Sequence, residues 1–336
     1  KITIFAYFRE GCCMKIKKNL LTALFFLQFL LFSDSSYTKN MNIVFIPKSS
    51  DQVFWDIMRS GVNDGLREFD TIDLTWRGPS YNDDTDAQIK ILKAYTHPGV
   101  DAIIIAPTDK QQLVEPVKEA AAQGIKIIIV DSAFNGSYQQ NYISTDNYLS
   151  GQLAAKRMAA TLNNSGNVVI FRIVKDSAST DSRAQGFIDY LQKNSPDIKI
   201  IGDTYAGGTR GKVLHNASEC LTKISSTHHI DGIFAVNESA TDGVLRALRN
   251  MGIAGKVKLV GFDYTDYLLQ GLENKDVDSL IIQDPRRMGY LSIKAAVEAI
   301  KNTPIKEKII YTETKLVTKD NFDILLAVND EDSYCG

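Results

Sequence analysis

Hydrophobic residues in this chain gather in six short runs rich in isoleucine and valine, and each run stops at one or two polar residues. The runs cover residues 42–47, 101–107, 126–130, 167–171, 232–236 and 258–262. Such runs are typical of strands that are buried on both faces of a parallel sheet. Segments of helical length and periodicity lie between most of them. The pattern predicts an α/β protein with two similar doubly wound parallel-sheet lobes.

The intervening segments predict the remaining elements. In residues 53–69 apolar side chains recur every three or four positions, which places them on one face of a helix. The other predicted helices cover 85–95, 111–123, a segment that ends near 162, 181–193, 209–225, 240–250, 266–274 and 287–301. Short strands are predicted at 71–76, 141–144 and 198–205, with a final strand at 309–317. No linker rich in Gly, Ser or Pro separates the two sets, so we expect short crossovers between the lobes.

The polar residues that follow the strands are the first candidates for binding. Ligands of open parallel sheets bind just beyond the carboxyl ends of the strands. Lys48, Asp131, Asn237 and Asp263 each come directly after one of the apolar runs. The pattern therefore indicates a binding site at these strand ends before any family is considered.

Composition excludes several classes of protein. With 336 residues the chain is long enough for two domains, and its net charge of -2 gives no basic excess for binding nucleic acid. Four cysteines in a chain of this length do not predict a disulfide framework, and whether Cys220 and Cys335 pair is left open.

Residues 14–36 have the order of a secretory signal peptide. Met14 is followed by lysines, then by the apolar run 20–32, then by small and polar residues. About 13 apolar residues form a helix of ~20 Å, which is too short for a bilayer core of ~30 Å. An uncleaved anchor is the alternative. Residues 1–13 precede Met14 and are expected to be an upstream segment outside the protein proper, and export predicts a periplasmic or extracellular location.

Enzyme motifs are missing from the sequence. The first strand leads into Lys48-Ser49-Ser50 and not into a glycine-rich phosphate loop, and neither a G-x-x-x-x-G-K-[ST] nor a G-x-S-x-G motif occurs. His228 and His229 have no partners at metal-ligand spacing. We therefore expect no catalytic residues, no metal and no cofactor.

Eight short segments match a known family in order and spacing. They are FW at 54–55, APTD at 106–109, IVD at 129–131, TDN at 145–147, SRAQGF at 182–187, FAVNE at 234–238, VGFD at 260–263 and IQD at 282–284. From about residue 42 to 320 the chain resembles the ribose/galactose-type periplasmic binding proteins of ABC sugar importers, which share their core with LacI-type regulators. A signal peptide stands where those regulators carry a DNA-binding helix-turn-helix, so the resemblance does not imply a repressor.

The resemblance implies a periplasmic binding protein type I fold. Three crossovers would join the lobes near 146–147, 283–284 and 312–314. The N-terminal lobe would comprise 41–146 plus 284–312, the C-terminal lobe 147–283 plus 313–330, and the tail 331–336.

The resemblance also implies the ligand-binding residues. Asp131, Arg183, Asn237, Asp263 and Gln283 match polar residues that bond sugar hydroxyls, and the aromatics that sandwich the sugar ring are matched by Phe54, Trp55 and Phe262. Lys48, Gln52 and Ser132 occupy site positions where ribose-type proteins carry other residues, and Gly207-Gly208 replaces an expected aromatic. Because two cations face two carboxylates, a neutral sugar or cyclitol is favoured over an anion.

We therefore predict an exported, monomeric solute-binding protein that captures a monosaccharide-like ligand or related polyol between its lobes and delivers it to an ABC permease. The alternative is a ligand-sensing module that presents its closed form to a membrane sensor kinase or chemoreceptor. Neither nucleic acid nor catalysis is part of either prediction.

Overall fold

The computed structural model describes residues 40–322. Several predicted segments lie outside the described residues. They are the upstream segment 1–13, the signal segment 14–36, the end of the C-terminal lobe at 323–330 and the tail 331–336, which includes Cys335. Among the residues that are described, no helix combines the length and the apolar character needed to cross a membrane.

Twelve strands within residues 40–322 form two six-stranded sheets. The first sheet contains β1 (Met41–Ile46), β2 (Ile72–Trp76), β3 (Ala102–Ile105), β4 (Lys126–Val130), β5 (Asn141–Thr145) and β11 (Ile309–Thr312). The second contains β6 (Gly166–Arg172), β7 (Ile198–Tyr205), β8 (Gly232–Ala235), β9 (Lys258–Phe262), β10 (Ser279–Gln283) and β12 (Thr314–Val317). We call each sheet with the helices packed on it the first lobe and the second lobe.

The two sheets have equivalent strand orders, β11-β5-β4-β3-β1-β2 and β12-β10-β9-β8-β6-β7. All neighbouring strands are parallel except β10 and β12, which are antiparallel. The central strands are buried on both faces, as the runs of isoleucine and valine predicted. The prediction of two doubly wound parallel-sheet lobes is confirmed.

Nine helices cover the sheets within the described residues. They are α1 (Val53–Leu66), α2 (Thr85–Ala94), α3 (Val114–Ala122), α4 (Asn147–Thr161), α5 (Ala178–Asn194), α6 (Arg210–Ser225), α7 (Glu238–Asn250), α8 (Asp266–Glu273) and α9 (Pro285–Ile300). The strongest helix pairs are α4 with α5 and α9 with α1. In each pair, one helix begins directly after a crossing between the sheets, and the other belongs to the lobe that the chain enters there.

The chain passes between the sheets three times, after β5, after β10 and between β11 and β12. The first two crossings begin a helix at an aspartate cap, because Asp146 accepts from the Leu149 N–H and Asp284 from the Arg287 N–H. The prediction of one final strand at 309–317 is wrong. The segment is divided at Glu313, so that its halves extend different sheets.

Candidate functional site

A cavity of about 290 Å³ lies between the lobes, at the carboxyl ends of their strands. The first lobe lines it with Lys48, Gln52, Phe54, Trp55, Asn82 and Asp131. The second lobe lines it with Ile173, Ser179, Thr180, Arg183, Asn237, Asp263 and Gln283. The cavity thus brings together every predicted site residue except Ser132 and Phe262.

Asp131 and Asp263 occupy equivalent places in the two lobes. Each follows the strand next to the crossover strand, β4 or β9, and each has a positive φ, 61° and 62°. The Asp131 N–H donates to the Ile143 carbonyl and the Asp263 N–H to that of Ile281. Aspartate tolerates this left-handed conformation better than most residues. The turn directs both carboxylates into the cavity from opposite lobes.

Lys48 follows β1 and is buried, with 4% of its surface exposed. Its Nζ lies 3.4 Å from Asp131 Oδ2 in its own lobe. It also donates to Ser177 Oγ at 3.2 Å and to Ser179 Oγ at 3.0 Å, both in the second lobe. Burial lowers the pKa of Lys48, while the nearby Asp131 acts in the opposite direction. Lys48 therefore joins the two lobes beside the cavity.

Arg183, on α5, is the largest polar side chain at the cavity wall and is 2% exposed. It donates to Asn147 Oδ1 at 2.8 Å, to the Val236 carbonyl at 2.9 Å and to Gln283 Oε1 at 2.6 Å. Its guanidinium lies 4.2 Å from the centre of the Phe262 ring. A planar guanidinium suits both the forked hydrogen bonds and the stacking.

Gln283 connects Arg183 to Asp263. Its Oε1 accepts from Arg183 and from Thr145 Oγ1, and its Nε2 donates to Asp263 Oδ1 at 2.8 Å. Burial raises the pKa of Asp263, and Arg183 counteracts that rise. Both Thr145 and Gln283 stand at crossovers, so the polar wall of the second lobe is connected to the hinge.

The aromatic side of the cavity comes from the start of α1. The Phe54 and Trp55 rings meet edge to face with centroids 4.9 Å apart. The Phe54 N–H donates across the interface to Glu238 Oε2 at 3.0 Å. Glu238 is 1% exposed, and burial raises its pKa to about 8. Asn237 caps α7, because its Oδ1 accepts the Ala240 N–H.

Two predicted residues are absent from the cavity lining. Ser132 is buried, and its Oγ accepts the Ser179 N–H of the second lobe at 3.2 Å. Phe262 is fully buried beneath the Arg183 guanidinium. The structure therefore places Ser132 in the contact between lobes and Phe262 behind Arg183.

Asn82, Ile173, Ser179 and Thr180 line the cavity without having been predicted. They lie in the β2–α2 loop, after β6 and at the start of α5. None follows an apolar run directly, so the strand-end argument could not identify them. The helix predicted at 181–193 begins three residues earlier, at Ala178, and this earlier start places Ser179 and Thr180 in its first turn.

Three buried polar atoms of the lining residues have no hydrogen-bond partner within residues 40–322. They are Gln52 Nε2, Trp55 Nε1 and Asn82 Oδ1. Buried polar groups in native proteins are nearly always paired, and leaving one unpaired costs about 1–3 kcal/mol. Two donors and one acceptor are therefore available to a ligand with hydroxyl groups.

The charges and rings of the cavity suit a neutral polyhydroxylated molecule. Two cations, Lys48 and Arg183, balance the two carboxylates, and carboxylates accept strong hydrogen bonds from hydroxyls. Aromatic faces bury the C–H surface of a sugar ring. Within the described part of the chain, no cluster of three or more His, Cys, Asp or Glu side chains could hold a metal ion.

Known proteins with similar sequences are binding proteins. The chain is 26% identical to a xylitol-binding protein of Mycolicibacterium smegmatis, over 80% of this chain and 77% of that protein. It is 27% identical to a D-ribose/D-allose-binding protein of Pseudomonas aeruginosa, over 82% of this chain and 88% of the other.

A solved structure of a solute-binding protein is also similar to this chain. A carbohydrate transporter solute-binding protein from Agrobacterium radiobacter, in complex with D-arabinose, superposes with a TM-score of 0.81 at 30% identity. The match covers 87% of this chain and 99% of that one. The sequence model described as periplasmic binding protein domain matches residues 43–304. With the two-lobed fold and a cavity at its strand ends, this match shows that the chain belongs to the periplasmic binding protein family.

Proposed function

We propose that this protein captures a monosaccharide or related polyol between its lobes and delivers it to an ABC importer. The observation that carries the proposal is the pair of buried aspartates, Asp131 and Asp263, which face one cavity from equivalent strand ends of opposite lobes. A ligand held by both carboxylates favours the closed arrangement, since it contacts both lobes only there. The sugar and polyol ligands of the relatives support this ligand class.

The proposed ligand-binding set is Lys48, Gln52, Phe54, Trp55, Asp131, Arg183, Asn237, Asp263 and Gln283. In this proposal the carboxylates accept from ligand hydroxyls, Arg183 and Lys48 donate, and Phe54 and Trp55 cover the apolar face of the ring. Ser132 and Phe262 support the site from behind. Binding requires no covalent step, and the relatives are transport components, which supports an importer over a sensor kinase or chemoreceptor as the partner.

Location and assembly complete the proposal. The relatives include periplasmic binding proteins, which supports a periplasmic location. We propose that residues 14–36 direct export, that the lobe boundaries are 41–146 plus 284–312 and 147–283 plus 313–330, and that the protein acts as a monomer. Light scattering of the purified protein measures the last point directly.

Ligand capture is tested by thermal shift and mass spectrometry. The melting temperature of wild-type protein is measured with D-ribose, D-allose, D-arabinose, xylitol and myo-inositol. Any ligand that stays bound through a gentle purification is released by denaturation and identified by its mass. A ligand at 100 times its Kd adds ~2.7 kcal/mol of stability. At least one of these compounds should raise the melting temperature by several degrees. The proposal fails if none does and no sugar or polyol is released.

A further inference from the structure

The loop between β2 and α2 carries a polar residue that the proposed binding set does not include. Asn82 lies in this loop, is 2% exposed and lines the cavity. Its Oδ1 has no hydrogen-bond partner among residues 40–322. Its Nδ2 donates to the Gly208 carbonyl of the second lobe at 3.5 Å. One side of the amide therefore contacts the opposite lobe, and the other offers an unpaired acceptor.

Gly208 allows the loop to approach this closely. A Cβ atom at position 208 would lie 2.8 Å from the backbone nitrogen of Asp83, a distance that real Cβ atoms essentially never show. The Gly208 N–H also donates to Asp83 Oδ2 at 3.4 Å. Any side chain at position 208 would therefore displace the segment that carries Asn82.

An ion pair holds the same loop from the other side. Lys212 Nζ, on α6, lies 2.5 Å from Asp83 Oδ2. Lys212 is more than half exposed, whereas Asn82 is buried. The Lys212–Asp83 ion pair therefore lies at the rim of the cavity, and the Asn82 amide lies inside that rim. We call Asp83, Gly208 and Lys212 the clasp. All clasp contacts connect the two lobes, so they exist only in the closed arrangement.

A buried amide oxygen without a partner needs a donor from the cavity. A neutral polyol supplies one through a hydroxyl, whereas a carboxylate placed there would face the amide oxygen with another acceptor. The Asn82 acceptor thus selects ligands by a hydrogen bond and not by size. A site that hydrogen-bonds a ligand hydroxyl rejects analogues without that hydroxyl more strongly than a pocket that selects by size.

We propose that Asn82 is a specificity-determining residue of this cavity, whose Oδ1 accepts a hydrogen bond from one hydroxyl of the bound polyol once the clasp has formed. The inference rests on the proposed function. It adds that one hydroxyl of the ligand is recognised by the first lobe through a loop that the second lobe holds in place.

The test is a double-mutant cycle between Asn82 and the ligand's hydroxyls, measured by calorimetry on the full chain. The probes are D-ribose, D-allose, D-arabinose, xylitol and myo-inositol, with the monodeoxy analogues of those that bind wild type. Asn82→Ala should lower affinity for the parent sugar about tenfold or more. One monodeoxy analogue should bind wild type more weakly than its parent, and Asn82→Ala should bind the two alike.

Two variants and a control separate recognition from folding. Asn82→Asp keeps an acceptor oxygen at the position but loses the donor to the Gly208 carbonyl. Affinity for parent and analogue should both fall, while the discrimination against the same deoxy analogue should persist. Lys212→Met removes the clasp ion pair without removing the acceptor, and should weaken the parent and the analogue by equal factors. The control is Asn135→Ala, which removes an exposed amide bonded to Gln111 and should leave every affinity unchanged.

The outcomes are distinguishable. If wild type binds none of the five compounds and releases no sugar or polyol on denaturation, the proposed function is overturned and this inference with it. If wild type binds one of them and Asn82→Ala, folded by circular dichroism, binds parent and analogues as wild type does, the inference alone is overturned. Should Asn82→Ala fail to fold, loss of discrimination in Asn82→Asp overturns the inference and its retention supports it.

Discussion

Asp131 in the first lobe and Asp263 in the second follow equivalent strands and share a backbone conformation, yet different cations accompany them. Lys48, after β1, contacts Asp131 directly and then reaches Ser177 and Ser179 across the cavity. Arg183, on α5, stays within its lobe and the crossovers, where it bonds Asn147 and Gln283. The fold therefore fixes the position of the carboxylates, whereas the cation decides whether a carboxylate is coupled to closure or to the hinge.

A second pair of equivalent strand ends differs in the same way. After β3, Asp109 accepts the N–H groups of Gln111 and Gln112 in its own turn. After β8, Glu238 instead accepts the Phe54 N–H at the start of α1, in the other lobe. Gln52 at the N-cap of α1 makes no side-chain capping bond, so Glu238 supplies one from across the cavity. Asp109 thus caps a turn of its own lobe, whereas Glu238 caps a helix of the opposite lobe.

Removing Arg183 should have the largest effect on stability. Arg183→Met leaves Asn147, the Val236 carbonyl and Gln283 without their buried donor, and we expect a loss of about 3–5 kcal/mol in the free energy of unfolding. Lys48→Met should cost less, about 1–3 kcal/mol, since its partners in the other lobe are hydroxyls. Urea denaturation measures both.

The control for these variants is Arg67→Ala, which removes a guanidinium 78% exposed beside Asp64 and should cost under about 1 kcal/mol. If Arg183→Met is no less stable than this control, Arg183 does not hold the second lobe to its crossovers.

The crossing helices provide the next comparison. A Cβ at Gly151 of α4 would collide with the Arg183 carbonyl, and one at Gly289 of α9 with the Met58 carbonyl. We expect Gly151→Ala and Gly289→Ala each to destabilise the protein by about 1–3 kcal/mol through overpacking. Gly211→Ala is the matched control in α6 and should be neutral or slightly stabilising. A Cβ there would meet no atom within 4 Å beyond its chain neighbours and the backbone of its own helix. Melting temperatures distinguish the outcomes, and a tolerated Gly151→Ala would show that α4 can move away from α5.

Much of this fold could be predicted, because buried strands require isoleucine and valine on both faces. The predicted strands at 126–130 and 258–262 coincide with β4 and β9. The strand pattern alone could not show the break at Glu313, since alternating exposure continues through it while the chain changes sheets. Only the family resemblance placed a crossover near 312–314. Asp131 and Asp263 could be identified because each directly follows an apolar run. Asn82 and Ser179 could not, because neither follows such a run. The roles of those two side chains depend on the position of the opposite lobe.

Glu238 should produce the smallest effect, which appears as a pH dependence. Burial raises its pKa to about 8 in the closed protein, despite the opposing influence of Arg210 and the Phe54 N–H, and Asp263 raises it further. The carboxyl therefore binds its proton more tightly when folded than in the unfolded chain, where glutamate titrates near about 4.3. Its contribution to stability is complete below about pH 4.3 and is lost as the pH rises from there through 8.

We expect the melting temperature of wild type to fall by several degrees, through this residue, between about pH 5 and 8.5. Glu238→Gln keeps an acceptor for the Phe54 N–H and should reduce that slope, whereas Glu115→Gln, at an exposed position on α3, should not. Identical slopes in wild type and Glu238→Gln would show that Glu238 does not cause the pH dependence of stability.

Calorimetry of two single variants shows whether carboxylates from both lobes hold one ligand. Asp131→Ala and Asp263→Ala are titrated with the compound that gives wild type its largest thermal shift. Each variant should lose about 1–3 kcal/mol of binding free energy, because a ligand hydroxyl is left unpaired in the cavity. Unchanged affinity in either folded variant would contradict a site shared equally between the lobes.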